Sequence, residues 1–223
     1  MSVDTRTAQA ETLSMGSGAS QTAGMTPHKR RLLLGLTAAA LFIASIAFPY
    51  WTVMMRAPAY PEQALTFQVY AYKYAGDIEE WNRVGRLVGV HVPPPVPEVF
   101  FLLFPGAVLV AAGLAVVTAL TDKGRHLAVV FPWVLLLLLL IWGQYSLYVY
   151  GHALDPDRPL RYLEPFTPPV VGITTLGKIK TYHFPNVGSL LFFAGAALLV
   201  VRAWPRRRST TDPSTTATED AVA

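Results

Sequence analysis

Four long apolar segments dominate the chain, and they restrict it to a membrane fold. The segments cover about residues 32–53, 99–120, 127–150 and 187–203. A helix needs about 20 predominantly apolar residues to cross the hydrocarbon core of a bilayer. Charged residues make up only 14% of the chain, against about 25% in a typical soluble domain. We therefore predict an all-α membrane protein with four transmembrane helices.

The two ends of the chain are polar. Residues 1–27 and 209–223 are rich in small and hydroxyl-bearing residues and contain few large apolar ones. Such segments bury too little surface to offset the entropy lost on ordering, so we predict disordered cytoplasmic tails. The membrane domain between them is predicted at 28–208. Its first apolar segment follows a basic cluster and has no clear small-residue cleavage site, which is typical of a retained anchor and not of a signal peptide.

The basic residues predict the orientation of the chain. They flank the predicted spans at three places: Lys29, Arg30, Arg31, then Lys123, Arg125, then Arg202, Arg206, Arg207 and Arg208. Cytoplasmic loops carry an excess of Lys and Arg, so both termini are predicted in the cytoplasm of a multi-pass protein of the bacterial inner membrane. The loops at 54–98 and 151–186 carry eight basic and eight acidic residues and are predicted outside. Because the basic residues cluster at span ends, nucleic acid is not expected as a partner.

Both outer loops contain patterns of folded structure. Residues 65–74 alternate between apolar and polar side chains, which predicts a strand. Residues 78–88 are predicted to form a helix with Asp77 as its N-cap, and a short strand is predicted near 173–182. Because neither loop has a core of its own, we expect the two long extracytoplasmic loops to form a small α/β cap together.

Histidine and methionine residues on the outer side are candidate copper ligands. His91, His152 and His183 lie in the outer loops, and Met54 and Met55 lie at the end of the first span. The chain has no cysteine, so a soft-metal site would need imidazole and thioether ligands, which suit copper. His152 and His183 are the best candidates because they share the second loop. The spacing matches no compact metal motif, so the alternative is that all five are ordinary loop or interface residues.

No sequence pattern indicates an enzyme. The chain lacks the motifs of nucleophilic hydrolases, zinc peptidases, phosphate-binding loops and haem attachment. The outer acidic residues would serve either as general acids and bases or as counter-charges, and the matched number of basic residues favours the second role. The spans contain almost no ionisable residues, which argues against an ion pump or a single-chain transporter.

Two outer-loop stretches resemble a family of small polytopic bacterial membrane proteins. The stretches are Ala57-Pro58-Ala59-Tyr60-Pro61 with Gly76-Asp77-Ile78 and Asn82, and then His152-Ala153-Leu154-Asp155-Pro156. Members of that family carry A-P-x-Y-P, G-D-[LIV] and H-x-L-D-P at these places, and they are encoded beside nitrous-oxide reductase and copper-handling genes. The resemblance implies an accessory role in copper handling or in the maturation of a copper respiratory enzyme.

The resemblance also has consequences for individual residues. The family's segment N-H-Y-I-G-M is replaced here by G-R-L-V-G-V at residues 85–90, so the His and Met of that segment are missing. His152 matches the second motif and is the better ligand to carry over. The matching positions imply a partner-binding surface formed by Tyr60, Pro61, Asp77, Asn82 and Asp155.

The predicted function is that of a non-enzymatic integral membrane accessory protein. Its spans lie in the lipid bilayer and its outer cap binds another membrane or periplasmic protein, with copper as the candidate cofactor. The first alternative is a structural subunit of a membrane respiratory complex that has no metal site of its own. The second is a small permease that works as an oligomer, for which the spans provide few polar faces.

Overall fold

The computed structural model describes residues 26–58, 60–90, 97–121, 123–157, 159–161 and 164–204, so the predicted tails lie almost entirely outside it. The described residues form five helices and five strands. The helices are α1 (Pro27–Ala47), α2 (Ile78–Val88), α3 (Phe100–Thr121), α4 (Arg125–His152) and α5 (Val187–Ala203). The strands are β1 (Trp51–Arg56), β2 (Leu65–Val69), β3 (Tyr74–Gly76), β4 (Gly172–Leu176) and β5 (Ile179–Pro185).

The prediction of an all-α protein with four transmembrane helices is wrong on two counts. The described strands form one five-stranded antiparallel sheet in the order β3-β2-β1-β5-β4. Three described helices are long and apolar enough to cross a membrane, namely His28–Ala47 of α1, then α3 and α4. The predicted fourth span is α5, which has only 17 residues. At 1.5 Å per residue its length is about 26 Å, which is less than the ~30 Å of a typical hydrocarbon core.

The first predicted span, 32–53, extended too far because the chain leaves the helix before Pro49. A residue that precedes proline is disfavoured in the α region. Phe48 accordingly has extended backbone angles, with φ −109° and ψ 153°, and α1 ends at Ala47. The next residues include β-branched and aromatic side chains that favour strands, and they form β1, the central strand of the sheet.

Small and aromatic side chains let α1, α3 and α5 pack closely. Phe42 of α1 and Phe192 of α5 are buried with their ring centroids 5.0 Å apart. A Cβ on Gly35 would lie 2.5 Å from the Cβ of Ala119, so α1 and α3 approach closely at that glycine. Small residues commonly permit such approach between membrane helices. The core of the bundle therefore lies between these three helices.

The sheet lies at one end of the helix bundle. Tyr50 connects the two parts, because its N–H donates to the Val69 carbonyl at 2.7 Å and its ring lies 4.9 Å from that of Phe104 in α3. At the opposite end of the bundle, Arg202 near the end of α5 donates to the hydroxyl of Thr118 in α3 at 2.6 Å. The connection between α3 and α4 therefore lies away from the sheet.

The two long connections, one from α1 to α3 and one from α4 to α5, both contribute to a single cap on the bundle. The first supplies β1, β2, β3 and α2, and the second supplies β4 and β5, with β1 paired to β5. The second connection also contacts the end of α2, because the N–H of Asp155 donates to the Gly89 carbonyl at 2.9 Å. The inward side chains of the sheet and the apolar face of α2 form the core of the cap: Val53, Met55, Leu65, Phe67, Trp81 and Val84.

Candidate functional site

A small cavity lies between the inner face of the sheet and α2. Its volume is about 50 Å³, which is more than the ~10–15 Å³ that is needed to hold one water molecule. Its walls are mostly apolar, and β1, α2, α4, β4 and β5 all contribute to them. The residues on which its chemistry depends are Met55, Trp81, Thr181 and His183.

His183 supplies a buried imidazole to this cavity. It lies on β5 directly opposite Val53, and only 7% of its surface is exposed. Its Nε2 lies 3.2 Å from the hydroxyl oxygen of Thr181, while its Nδ1 is buried and has no hydrogen-bond partner among the described residues. Burial lowers the pKa of His183 to about 4, because a charged imidazolium is disfavoured away from water. The ring is therefore neutral at neutral pH, and a neutral imidazole nitrogen is a common metal ligand.

Met55 and Trp81 lie at the same cavity as His183. Met55 is opposite Thr181 in the β1–β5 pair, so Met55 and His183 are diagonal neighbours on one face of the sheet. Diagonal positions of this kind are about 7–8 Å apart, which is within reach of long side chains. Trp81 of α2 is 6% exposed, and its Nε1 is a second buried atom without a hydrogen-bond partner in the described part of the chain. The cavity is thus lined by a thioether, an imidazole and an indole group.

The remaining predicted copper ligands lie elsewhere. Met54 belongs to the opposite face of the sheet, since successive side chains of a strand alternate, and its cross-strand partner is Tyr182. His152 is the last residue of α4, where its exposed ring stacks on Tyr148 at a centroid distance of 4.0 Å. His91 lies outside the described residues. Across the described ranges, no three His, Asp or Glu side chains are grouped closely enough to hold a metal ion.

Asp77 and Asp155, which belong to the predicted partner-binding surface, form hydrogen bonds within the cap. Asp77 occupies the N-cap position of α2, as predicted, but its side chain makes no capping hydrogen bond. Its carboxylate instead accepts hydrogen bonds from the backbone N–H of Thr66 at 2.8 Å and from the Thr66 hydroxyl at 3.2 Å. Asp77 therefore connects α2 to β2. The carboxylate of Asp155 accepts a hydrogen bond from the N–H of Asp157 at 2.8 Å and remains exposed.

The other predicted partner-binding residues occupy different surfaces. Asn82 is half-buried on α2. Tyr60 and Pro61 line a separate groove beside the end of β1 and the turn between β4 and β5. The five residues of the predicted surface are thus distributed around the cap.

Sequence reasoning missed Trp81 and Thr181 and did not separate Met55 from Met54. The sequence contained one usable signal, because the two-residue period of a strand places adjacent methionines on opposite faces. Prediction of 32–53 as one helical span concealed that signal. No local pattern relates β1 to β5, whose paired residues Val53 and His183 are 130 positions apart in the sequence.

No protein-family model matches the chain, and no curated protein matches it. The family resemblance of the outer loops therefore stays a prediction that depends on their motifs, and the site is interpreted from its own geometry.

Proposed function

We propose that the protein is a non-enzymatic membrane accessory protein whose cap holds copper(I) for an extracytoplasmic partner. The observation that carries this proposal is the buried, unpartnered Nδ1 of His183 at a cavity that Met55 also lines. Three apolar helices support its attachment to a membrane.

The donor set of the cavity fits copper(I). Imidazole and thioether are suitable ligands for this soft ion, and the histidine is already in its neutral form. A buried polar atom without a partner costs about 1–3 kcal/mol, so coordination by Nδ1 would recover free energy that the folded chain lacks. The ring of Trp81 adds an aromatic surface at the cavity, and such surfaces attract cations.

The small number of protein ligands favours temporary binding over permanent storage. Met55 and His183 supply one donor atom each, which leaves coordination positions open for a ligand of a recipient protein. In this proposal copper is cargo, and the residues of the cap bind it, shield it from water and present it. No redox step by this chain is required.

We further propose that the cap lies outside a bacterial inner membrane. The support is the position of basic residues at the helix ends away from the sheet: Lys29, Arg30, Lys123, Arg125 and Arg202. Cytoplasmic ends of membrane helices are enriched in such residues. This orientation places the copper cavity on the side where a periplasmic partner is accessible.

Copper(I) binding by the purified full-length protein tests the proposal. Competition with a chromophoric copper(I) chelator under anaerobic conditions should give one ion per chain. Met55→Leu and His183→Leu should each weaken the affinity by at least about tenfold. Met54→Leu and His152→Ala are matched controls and should leave it unchanged. Absence of copper binding, or equal losses in the controls, would refute the proposed site.

A structural subunit of a membrane respiratory complex is the second candidate function. It is supported by α4, which leaves Leu137, Leu138 and Ile141 uncovered along its length. An exposed apolar helix face is suited to either lipid or a neighbouring subunit. Co-purification of stoichiometric large subunits in mild detergent, without copper in the cap, would favour this function over the first.

A further inference from the structure

A basic groove lies at the end of the β1–β5 strand pair. Its volume is about 450 Å³, and its walls come from the segment after β1 and from the turn between β4 and β5. It contains three cations and one carboxylate: Arg56, Lys178, Lys180 and Glu62. The two outer loops as a whole have equal numbers of basic and acidic residues. The groove is therefore a local excess of positive charge on two loops that are balanced only when they are counted together.

Two of the cations lie in an unfavourable arrangement. Arg56 and Lys180 are direct cross-strand partners, and like charges directly opposite each other destabilise a strand pair. Arg56, Lys178 and Lys180 form no ion pair with any described residue. All three are exposed. An anionic ligand placed between Arg56 and Lys180 would replace this repulsion by two favourable interactions.

We infer that the groove binds an extended acidic segment of a partner protein. Besides its cations, the groove contains Pro58, Tyr60 and Pro61, which provide apolar contact surface for a polypeptide. This mixture of charge and apolar surface suits a peptide better than it suits a small inorganic anion. Tyr60 and Pro61 would contact the peptide chain while the three cations pair with its carboxylates.

The position of the groove favours a peptide over a lipid headgroup. β1 begins just beyond the end of α1, and Arg56 is five residues further along the strand than Trp51. At about 3.3 Å per residue, the strand carries Arg56 roughly 17 Å from that point. The inference depends on the cap lying outside the lipid and does not depend on copper.

Binding of a fluorescein-labelled decaglutamate peptide to the full-length protein tests the inference. Fluorescence anisotropy at low salt should detect binding, and Arg56→Gln and Lys180→Gln should each weaken it about fivefold. Glu62→Gln should strengthen it by a similar factor. Lys73→Gln is the matched control, because Lys73 is an exposed cation in the turn between β2 and β3. It should bind the peptide as the parent protein does.

Three results would overturn the inference. One is an equal loss with Lys73→Gln, which would show that binding follows net charge alone. The second is displacement of the peptide by inorganic phosphate that is added at the same total concentration of negative charge as the peptide. That result would assign the groove to small anions. The third is displacement by glycerophosphoglycerol but not by phosphate, which would assign it to lipid headgroups. Retained copper(I) binding in the groove variants distinguishes these results from failure of the copper proposal.

Discussion

Replacement of Gly151 by alanine should destabilise the contact between α4 and the connection that leads from α4 to β4. A Cβ at this position would overlap the carbonyl oxygen of Phe166 and would lie 2.9 Å from its carbonyl carbon. Both are backbone atoms, so no side-chain rotation relieves the overlap. The Phe166 N–H also donates to the Gly151 carbonyl at 3.1 Å, and that hydrogen bond must lengthen or break.

The expected loss follows from three contributions. Overpacking costs about 1–3 kcal/mol, and a lost hydrogen bond costs about 0.5–1.5 kcal/mol. Alanine is more favourable than glycine inside a helix by about 1 kcal/mol. The net effect of Gly151→Ala is therefore a decrease of about 1–3 kcal/mol in the free energy of unfolding. Because Phe166 lines the cavity that is proposed to hold copper(I), the affinity for copper(I) should also fall.

The measurement is unfolding in mixed micelles with increasing dodecyl sulfate, followed by tryptophan fluorescence. Gly113→Ala is the matched control, since Gly113 lies inside α3 and a Cβ there meets no atom within 4 Å. That variant should gain up to about 1 kcal/mol from the helical preference of alanine. If Gly151→Ala unfolds at the same detergent fraction as Gly113→Ala, the close backbone approach at Gly151 is wrong.

Three further predictions concern pH, Asp77 and orientation. The pKa of His183 is about 4 in the folded chain and 6.5 in the reference state, so protonation favours the unfolded chain. The contribution of His183 to stability should be constant above pH ~6.5 and fall by about 3 kcal/mol towards pH ~4, and His183→Gln should remove this part of the pH dependence when unfolding is followed at several pH values. Asp77→Ala should lower the free energy of unfolding by about 1–3 kcal/mol, because it removes the acceptor of the backbone N–H in β2; an unchanged value in detergent-induced unfolding would contradict that role. Reporter enzymes fused after residues 75 and 123 should report opposite sides of the membrane, because the candidate span α3 lies between the two fusion points in the chain, and equal activities would exclude α3 as a span.

Local sequence signals predicted the bounds of the helix in the cap, but they did not predict the break between its strands β2 and β3. The predicted helix at 78–88 has the same bounds in the structure. Its end is marked by Gly89, whose φ of +86° is a left-handed conformation that glycine adopts easily. The predicted strand at 65–74 is divided into β2 and β3 by a turn in which the N–H of Tyr70 donates to the Lys73 carbonyl at 2.9 Å. Its alternating pattern continues through the turn, so periodicity alone did not reveal the break.

The site was predictable only in part, because its geometry depends on long-range pairing. Residue chemistry selected Met55 and His183, but it equally selected Met54 and His152. The register of β1 and β5 separates Met55 from Met54, since it places Met55 and His183 on the inner face, and His152 lies outside the sheet at the end of α4. Two strands that are far apart in the sequence contain no local signal of their register. Trp81 was overlooked because its contribution depends on α2 covering the same face.

The register of β1 and β5 also predicts that the groove and the cavity are coupled. Arg56 and Lys180 form one cross-strand pair, and the adjacent pair is Met55 with Thr181. An acidic segment that relieves the repulsion between the two cations should hold this end of the strand pair more firmly, next to the methionine at the cavity. We therefore expect decaglutamate to raise copper(I) affinity.

Linkage makes this expectation strict, because copper(I) must then raise the affinity of the peptide by the same factor. The two factors come from chelator competition with and without the peptide and from anisotropy with and without copper(I). The variant with Arg56→Gln and Lys180→Gln should lose the coupling while it still binds copper. If both factors are within about twofold of unity in the parent protein, the groove and the cavity act independently and partner docking does not control copper release.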